Sequence, residues 1–418
     1  MSDRISEARK KYTWTVVLAI FLCTMVNYLD RVNISVTAPV MSKEYGWDTT
    51  SLGLIFSSFF WGYFLLQLPG GWLSDKFGGG RLLFGSSLLW AVFTFLTAIP
   101  SNLIVLSGVR AALGAGEAVN FPAQTAFIGR HLPKRMVSRI MGFNFSAIAL
   151  GPFIGTPLSV YFMTNWGWRS VFYAMGAMSL AWALFWFWLT RWAGMTDETV
   201  TSVNQGEAMQ ARASEAIFEK PLTKVEVWGS SMSWYCCSYV FYFFAFWLPT
   251  YFVKARGMSV EQMAGFATIP WLVLFFTMNV AGHVVDIIKQ KSAHSIFWRR
   301  MIFAAGFAWA AVFIFPLQHA TTGGGAVLLI CVAFMGLGWS WPVAFALPIE
   351  YAPAKAGVVT GFMNAWGQVA GITAPLITGA VIAGGNWEWA FIITAFISIM
   401  GTVLVAGTSH YSTGVRRA

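Results

Sequence analysis

Apolar stretches long enough to cross a hydrocarbon core about 30 Å thick recur along the whole chain. Short clusters of charged, polar, Gly and Pro residues separate them. The pattern predicts helices at 13–40, 51–74, 81–99, 102–129, 136–163, 168–190, 227–253, 260–287, 298–316, 325–349, 356–383 and 388–408. Lipid offers no partner to a bare backbone N–H or C=O, so each stretch must satisfy its own backbone as a helix. The expected fold is therefore an all-α polytopic membrane protein with twelve transmembrane helices. The first stretch follows a charged stub, Asp3 to Lys11, and runs too long for a signal peptide. Only Ala320–Gly325 separates the ninth stretch from the tenth.

The longest polar interval, 191–226, divides these helices six and six. It is rich in Ser, Thr and Ala, and carries Glu198, Glu207, Glu215 and Glu219 among its basic residues. The expected organisation is an N-terminal six-helix bundle (1–190), a cytoplasmic linker (191–226) and a C-terminal six-helix bundle (227–418). Short patterns repeat in the same order in both halves. Gly71-x-x-x-Asp75 is echoed by Gly282-x-x-x-Asp286, Pro157-Leu158 by Pro375-Leu376, and Asn165-Trp166-Gly167-Trp168 by Asn386-Trp387-Glu388-Trp389. Parallel six-helix repeats of this kind place a binding site at the repeat interface.

Composition agrees with the pattern. Hydrophobic residues make up 57% of the 418 and charged residues 11%, against roughly 25% charged in soluble proteins. An ordinary cytosolic enzyme and a disordered chain are thereby excluded. The net charge of +10 would suit nucleic acid, but its distribution indicates a membrane instead. With the N-terminus inside, 21 of the 27 basic residues fall on cytoplasmic segments, as the positive-inside tendency requires. Both termini are then expected in the cytoplasm. The four cysteines lie within apolar runs, which argues against a disulfide framework.

Four ionisable residues, Asp30, Arg31, Arg110 and Glu117, fall well inside the first and fourth predicted spans. A charge at that depth costs at least ~2.5–3.5 kcal/mol, so these positions are candidates for function or for a buried ion-pair network. Arg110 and Glu117 are seven residues apart, sharing one face at about 10 Å. That spacing leaves room for a substrate, water or a side chain from the first span. Asp30 and Arg31 are adjacent, roughly 100° apart around the helix, so one can face a cavity while the other reaches toward another span. Arginine offers a planar fork of donors matching a carboxylate, and a carboxylic acid in an apolar site can exchange a proton near neutral pH. Two arginines and two acids thus suggest an anion site coupled to protons. Tyr28, Tyr63, Asn144, Asn364 and Gln368 supply polar groups at comparable depth, fit for ligand contact or helix–helix hydrogen bonds. No histidine is placed for a central relay, and no metal or other cofactor is expected; protons are the coupling ion.

Gly70-Gly71-Trp72-Leu73-Ser74-Asp75-Lys76-Phe77-Gly78-Gly79-Gly80-Arg81 links the second and third spans. Gly71, Asp75 and Arg81, with Asp286 at the equivalent place in the second half, are the candidate cytoplasmic gate. The alternative is a basic loop anchored to headgroups. Gly151-Pro152 and Pro157 in the fifth span and Pro375 in the eleventh are points where a helix can bend.

Three stretches together resemble the anion:cation symporter branch of the major facilitator superfamily. They are Asn27-Tyr28-Leu29-Asp30-Arg31-Val32-Asn33; Gln67-Leu68-Pro69 running into the gate motif; and Arg110-Ala111-Ala112-Leu113-Gly114-Ala115-Gly116-Glu117-Ala118-Val119-Asn120-Phe121-Pro122. Trp166-Gly167-Trp168-Arg169 and Asn364-Ala365-Trp366-Gly367-Gln368 extend the resemblance over essentially the whole chain. It implies the major facilitator fold and no enzymatic activity, with proton-coupled uptake of an organic carboxylate by alternating access. The implied substrate is a sugar acid, or an aromatic or small organic acid. It further implies proton coupling at Asp30 and Glu117, and substrate contacts from Arg31, Arg110, Tyr63 and Asn364, with a monomer as the working unit. Several sugar-acid carriers of the branch place a glutamine after the fifth-span asparagine, where this chain reads Phe143-Asn144-Phe145-Ser146-Ala147-Ile148. An apolar side chain in place of that amide favours a less hydroxylated or aromatic carboxylate. The competing readings are an organic-anion exchanger, a proton-driven exporter, and a membrane sensor that binds without turnover.

Overall fold

The computed structural model describes residues 2–132, 137–195, 222, 224–291, 295–351 and 356–407, for some of these the backbone alone. The described part is helical throughout. Its helices are α1 (Ser2–Tyr45), α2 (Thr49–Phe77), α3 (Gly79–Thr97), α4 (Leu103–Ala118), α5 (Asn120–His131), α6 (Val137–Trp166) and α7 (Trp168–Trp192). They continue as α8 (Val225–Thr250), α9 (Val260–Lys291), α10 (Ser295–Ile314), α11 (Gly323–Tyr351), α12 (Ala356–Val381) and α13 (Trp387–Gly407). Twelve segments are long and apolar enough to span a membrane, α4 and α5 together counting as one. Most of the expected linker, residues 196–221 and 223, lies outside the described residues.

One expectation of an unbroken helix does not hold. The fourth span, predicted over 102–129, is interrupted at Val119. Pro122 has no N–H to give the Ala118 carbonyl, so the ladder resets and α5 begins at Asn120. The break sets Glu117 in the last turn of α4. Pro152 and Pro157, in contrast, sit inside a continuous α6, and Pro375 inside a continuous α12. At the α2–α3 turn Gly78 has φ 91°, a left-handed value that a side chain would strain.

The described residues form two compact units. The first comprises Met1–Asn33, Ser58–Gly151 and Tyr161–Ala216; the second comprises Ile34–Ser57, Pro152–Val160 and Ile217–Ala418. In the first, α3 packs on α7; these are the third and sixth spans. In the second, α10 packs on α13, the ninth and twelfth. Close approach repeats in the same way. A Cβ on Gly114 of α4 would overlap the Phe59 carbonyl oxygen of α2, and one on Gly62 would overlap the Ala111 oxygen. Six spans later, a Cβ on Gly338 of α11 would come 2.6 Å from the Thr277 Cβ of α9. Small residues that let backbones touch are how membrane helices associate when lipid is as apolar as the side chains.

The second unit takes in Ile34–Ser57 through specific contacts. Ser35 Oγ donates to the Ala245 carbonyl at 2.9 Å, Thr49 Oγ1 donates to the Gly379 carbonyl at 3.0 Å, and Lys254 Nζ donates to Ser42 Oγ at 2.7 Å. Phe56 packs against both Phe246 and Trp247. A Cβ on Gly53 would lie 2.7 Å from the Pro375 oxygen. As a result the span Val225–Ala255 is enclosed on all sides, with 94% of its most apolar stretch buried.

Candidate functional site

The four charges expected at membrane depth all belong to the first unit, and all are buried. Asp30, Arg110 and Glu117 are each 1% exposed and Arg31 is 5% exposed. A buried ion must find partners or neutralise, so the partners define the site.

Arg31 and Glu117 find each other. Arg31 Nε donates to Glu117 Oε2 at 3.2 Å, joining α1 to the end of α4. Aromatic rings surround the guanidinium: its Cζ lies 4.6 Å from the Tyr28 ring centroid, 5.0 Å from Tyr63 and 5.2 Å from Phe59. A desolvated cation over such faces gains up to about 2 kcal/mol from the ring quadrupole. The Arg110 Cζ also lies 5.2 Å from the Phe59 centroid, so one ring serves both arginines.

Arg110 is different. Its Nε and Nη2 are buried and make no hydrogen bond. Glu117 Oε1 and Asn27 Nδ2 are likewise buried without a hydrogen-bond partner. Leaving such groups unsatisfied costs about 1–3 kcal/mol each, more when charged. A fork of donors, an open carboxylate oxygen and an amide N–H are thus concentrated around α4, with α1 and α2 against it.

Asp30 does not join that group. Adjacency on one helix turns its carboxylate away from Arg31, toward α3 and α7. There Oδ2 accepts from Trp90 Nε1 and from Ser179 Oγ (2.9 Å), and Oδ1 accepts from Asn33 Nδ2 at 3.4 Å. All three donors are neutral. Arg31 thus pairs with Glu117, while the Asp30 carboxylate takes its hydrogen bonds from neutral donors on α1, α3 and α7.

The remaining candidates are distributed as follows. Tyr63 is buried with its ring on Arg31. Asn144, on α6, accepts from Thr24 Oγ1 at 2.7 Å and donates to Gln124 Oε1 at 2.7 Å. Gln124 Nε2 in turn donates to Asn120 Oδ1, and Asn120 Nδ2 meets Cys23 Sγ at 3.4 Å. Asn144 thus belongs to a buried amide ladder joining α1, α5 and α6. Asn364 and Gln368 lie one turn apart on α12 in the second unit. Gln368 is buried, and its Oε1 accepts no hydrogen bond. Of the gate residues, Gly71 is on α2 and Arg81 is exposed on α3. The Asp75 and Asp286 side chains lie outside the described residues. Among the described residues no cluster of three or more His, Cys, Asp or Glu could hold a metal.

Sequence reasoning passed over Phe59, Trp90, Ser179 and Gln124. Phe59 was within reach, since it precedes Tyr63 by four residues on the same helix face. No local pattern ties Trp90 or Ser179 to Asp30.

With this geometry in view, the similarity to known proteins is informative. Residues 20–375 match the family model for the Major Facilitator Superfamily. The chain is 29% identical over 398 residues to a chloroplastic ascorbate transporter of Arabidopsis thaliana, covering 94% of this chain and 74% of that protein. It is 29% identical over 392 residues to a probable sulfoacetate transporter of Cupriavidus necator, covering 91% of each. Its fold is similar to the crystal structure of a D-xylose–proton symporter, with a TM-score of 0.74 at 18% identity over 94% of this chain and 97% of that one. A family match across most of the chain, on twelve spans built as repeated helix pairs, makes this protein a member of the Major Facilitator Superfamily.

Proposed function

We propose that this protein is a proton-coupled symporter that carries a small organic carboxylate inward by alternating access. The observation that carries this reading is the buried Arg110 guanidinium, whose Nε and Nη2 have no hydrogen-bond partner beside an Arg31–Glu117 pair. A guanidinium is tolerated there if an anion completes it for part of a cycle, and a carboxylate matches its fork. Relatives named for ascorbate and sulfoacetate transport are consistent with a small organic anion. The apolar Ala147-Ile148 stretch after Asn144 favours one with few hydroxyls.

Coupling follows from competition for Arg31. When Glu117 is ionised it holds Arg31. When a proton neutralises Glu117 that grip weakens, and Arg31 is free to join Arg110 on the substrate carboxylate. Proton and anion then favour each other's binding, by the same factor in both directions. Loss of the proton returns Arg31 to Glu117 and releases the anion. Asp30, held by Trp90 and Ser179, is the second proton-carrying group. Tyr63, Asn144, Asn364 and Gln368 orient the rest of the substrate.

The moving bodies are the bundles 1–190 and 227–418, joined by 191–226, with Gly71, Asp75, Arg81 and Asp286 as the gate. Both termini face the cytoplasm of a bacterial cell, and the monomer is the working unit. A monoanion entering with two protons carries net positive charge, worth about 2.3 kcal/mol per 100 mV. Purified protein in liposomes should therefore pass an inward current that grows with external acidity when the monoanion glucuronate or benzoate is supplied. Glu117→Gln should abolish the pH dependence. Unchanged pH dependence in that variant would overturn the coupling scheme, and counterflow without net proton movement would establish an exchanger instead.

A further inference from the structure

We infer that Phe59 is a positioning residue of this site: its ring is a fixed platform that holds the Arg110 guanidinium by its face and leaves its N–H groups open to an anion. The inference rests on the symport reading above and adds a residue to it.

Glu117 has one oxygen taken by Arg31 and one oxygen free, and Arg110 lies two helical turns away on the same face. Arg110 nonetheless makes no hydrogen bond through Nε or Nη2. What it does have is the face of Phe59, at 5.2 Å from its Cζ, the same distance at which Arg31 meets that ring. The attraction of each cation to the ring face offsets part of what the missing hydrogen bonds would supply, without occupying a single N–H. The donors stay vacant, aimed where a carboxylate can take them.

The platform works only if it is held in place, and the close backbone contact of α2 and α4 holds it. Phe59 is fully buried. Its carbonyl oxygen lies where a Cβ on Gly114, one turn after Arg110, would have to go, and the Ala111 oxygen lies where a Cβ on Gly62 would go. α2 and α4 are thus in backbone contact on either side of the ring. Phe60 and Tyr63 pack against it at 5.1 and 5.8 Å. A rigid ring in reach of two cations is a preorganised element, and preorganisation cuts the cost of ordering a site for its ligand.

The test is a fluorination series at Phe59, introduced by nonsense suppression in the full-length protein. Phenylalanine, 4-fluoro- and 3,4,5-trifluorophenylalanine have nearly the same shape but a progressively weaker face. Initial rates of uptake into proteoliposomes are measured with glucuronate, benzoate and succinate as probes. For whichever probe wild type carries, KM should rise stepwise, by about tenfold at the trifluoro residue, with kcat little changed. Phe59→Leu should show the high KM, and Phe59→Tyr should restore most of the affinity. A KM that does not change across the series while wild-type transport is intact overturns the role of Phe59 and leaves the symport reading standing. Absence of proton-driven uptake of all three probes by wild type overturns both.

Discussion

The two units repeat the same helix pairs around different interiors. Where α1, α2 and α4 meet in the first unit, the buried side chains include Arg31, Arg110, Glu117, Phe59 and Tyr63, with Tyr28 half-buried beside them. Where α8, α9, α11 and α12 meet in the second, aromatic rings predominate: Trp234 against Trp341, Phe241 against both Trp341 and Trp271, with Gln368 buried nearby. The buried arginines described in the second unit, Arg299 and Arg300, sit in the first two turns of α10, near a helix end. One architecture therefore supports two chemistries. The first unit buries two arginines with an ionisable carboxylate, and the matching helices of the second bury mainly aromatic rings. The coupling proposed above depends on charge and so draws on the unit where those ions lie.

The sharpest way to break this comparison is to remove the vacant cation. Arg110→Gln should lower the initial uptake rate by about 100-fold, within the range for losing charge-assisted hydrogen bonds to an anion. Gln368→Leu in the other half, which deletes a neutral hydrogen-bonding group, should lower it by about fivefold. Comparable losses in the two variants would mean that charge is not the property dividing the halves.

Next come the helix crossings. Gly114→Ala drives a methyl into the Phe59 backbone, whereas Gly338→Ala meets the Thr277 side chain. The first should destabilise the detergent-solubilised protein by about 3 kcal/mol and the second by about 1 kcal/mol, the span typical of overpacking. Thermal unfolding of the two variants checks the order.

A smaller effect is expected behind α1. Trp90→Phe leaves Asp30 one donor short, at a cost of about 2 kcal/mol. Ser179→Ala should cost somewhat less, because Trp90 remains. Both read out in the same melting experiment, and both should act on the first unit.

The smallest belongs to a polar end of the second unit. Asp48 precedes α2, and its carboxylate accepts from the Ser51 N–H at 2.8 Å. The Ser51 hydroxyl, together with that N–H, holds its pKa below the usual carboxylate value. A depressed value means the stabilisation is fully present above the ordinary carboxylate range and disappears as pH falls through the lowered one. Asp48→Ala should therefore cost about 1 kcal/mol at neutral pH, as helix N-caps do. The difference between variant and parent melts should vanish in strong acid.

Much of the fold was legible because the bilayer leaves few options. A run of about 20 apolar residues must become a helix, and charges at depth stand out against it. Span ends came out close to the helices, and the weak separator at Ala320–Gly325 proved to be the real turn into α11. The interruption at Val119 was harder to see, because Pro122 sits close to a helix start, where proline is also at home. In the site, helix geometry alone required Asp30 and Arg31 to diverge. It did not say which of them would reach α4.

The amino-acid sequence by itself determined twelve spans, a duplicated pattern of helices, and four ionisable groups too deep to be incidental. These are one-dimensional properties of length, periodicity and composition. The tertiary structure alone decided that Arg31 takes Glu117, that Asp30 turns to Trp90 and Ser179, and that Arg110 keeps an open fork over Phe59. Each of those partnerships joins residues between about 50 and 150 positions apart in the chain. They are set by how closely the helices cross, which in turn depends on backbones touching at Gly62 and Gly114.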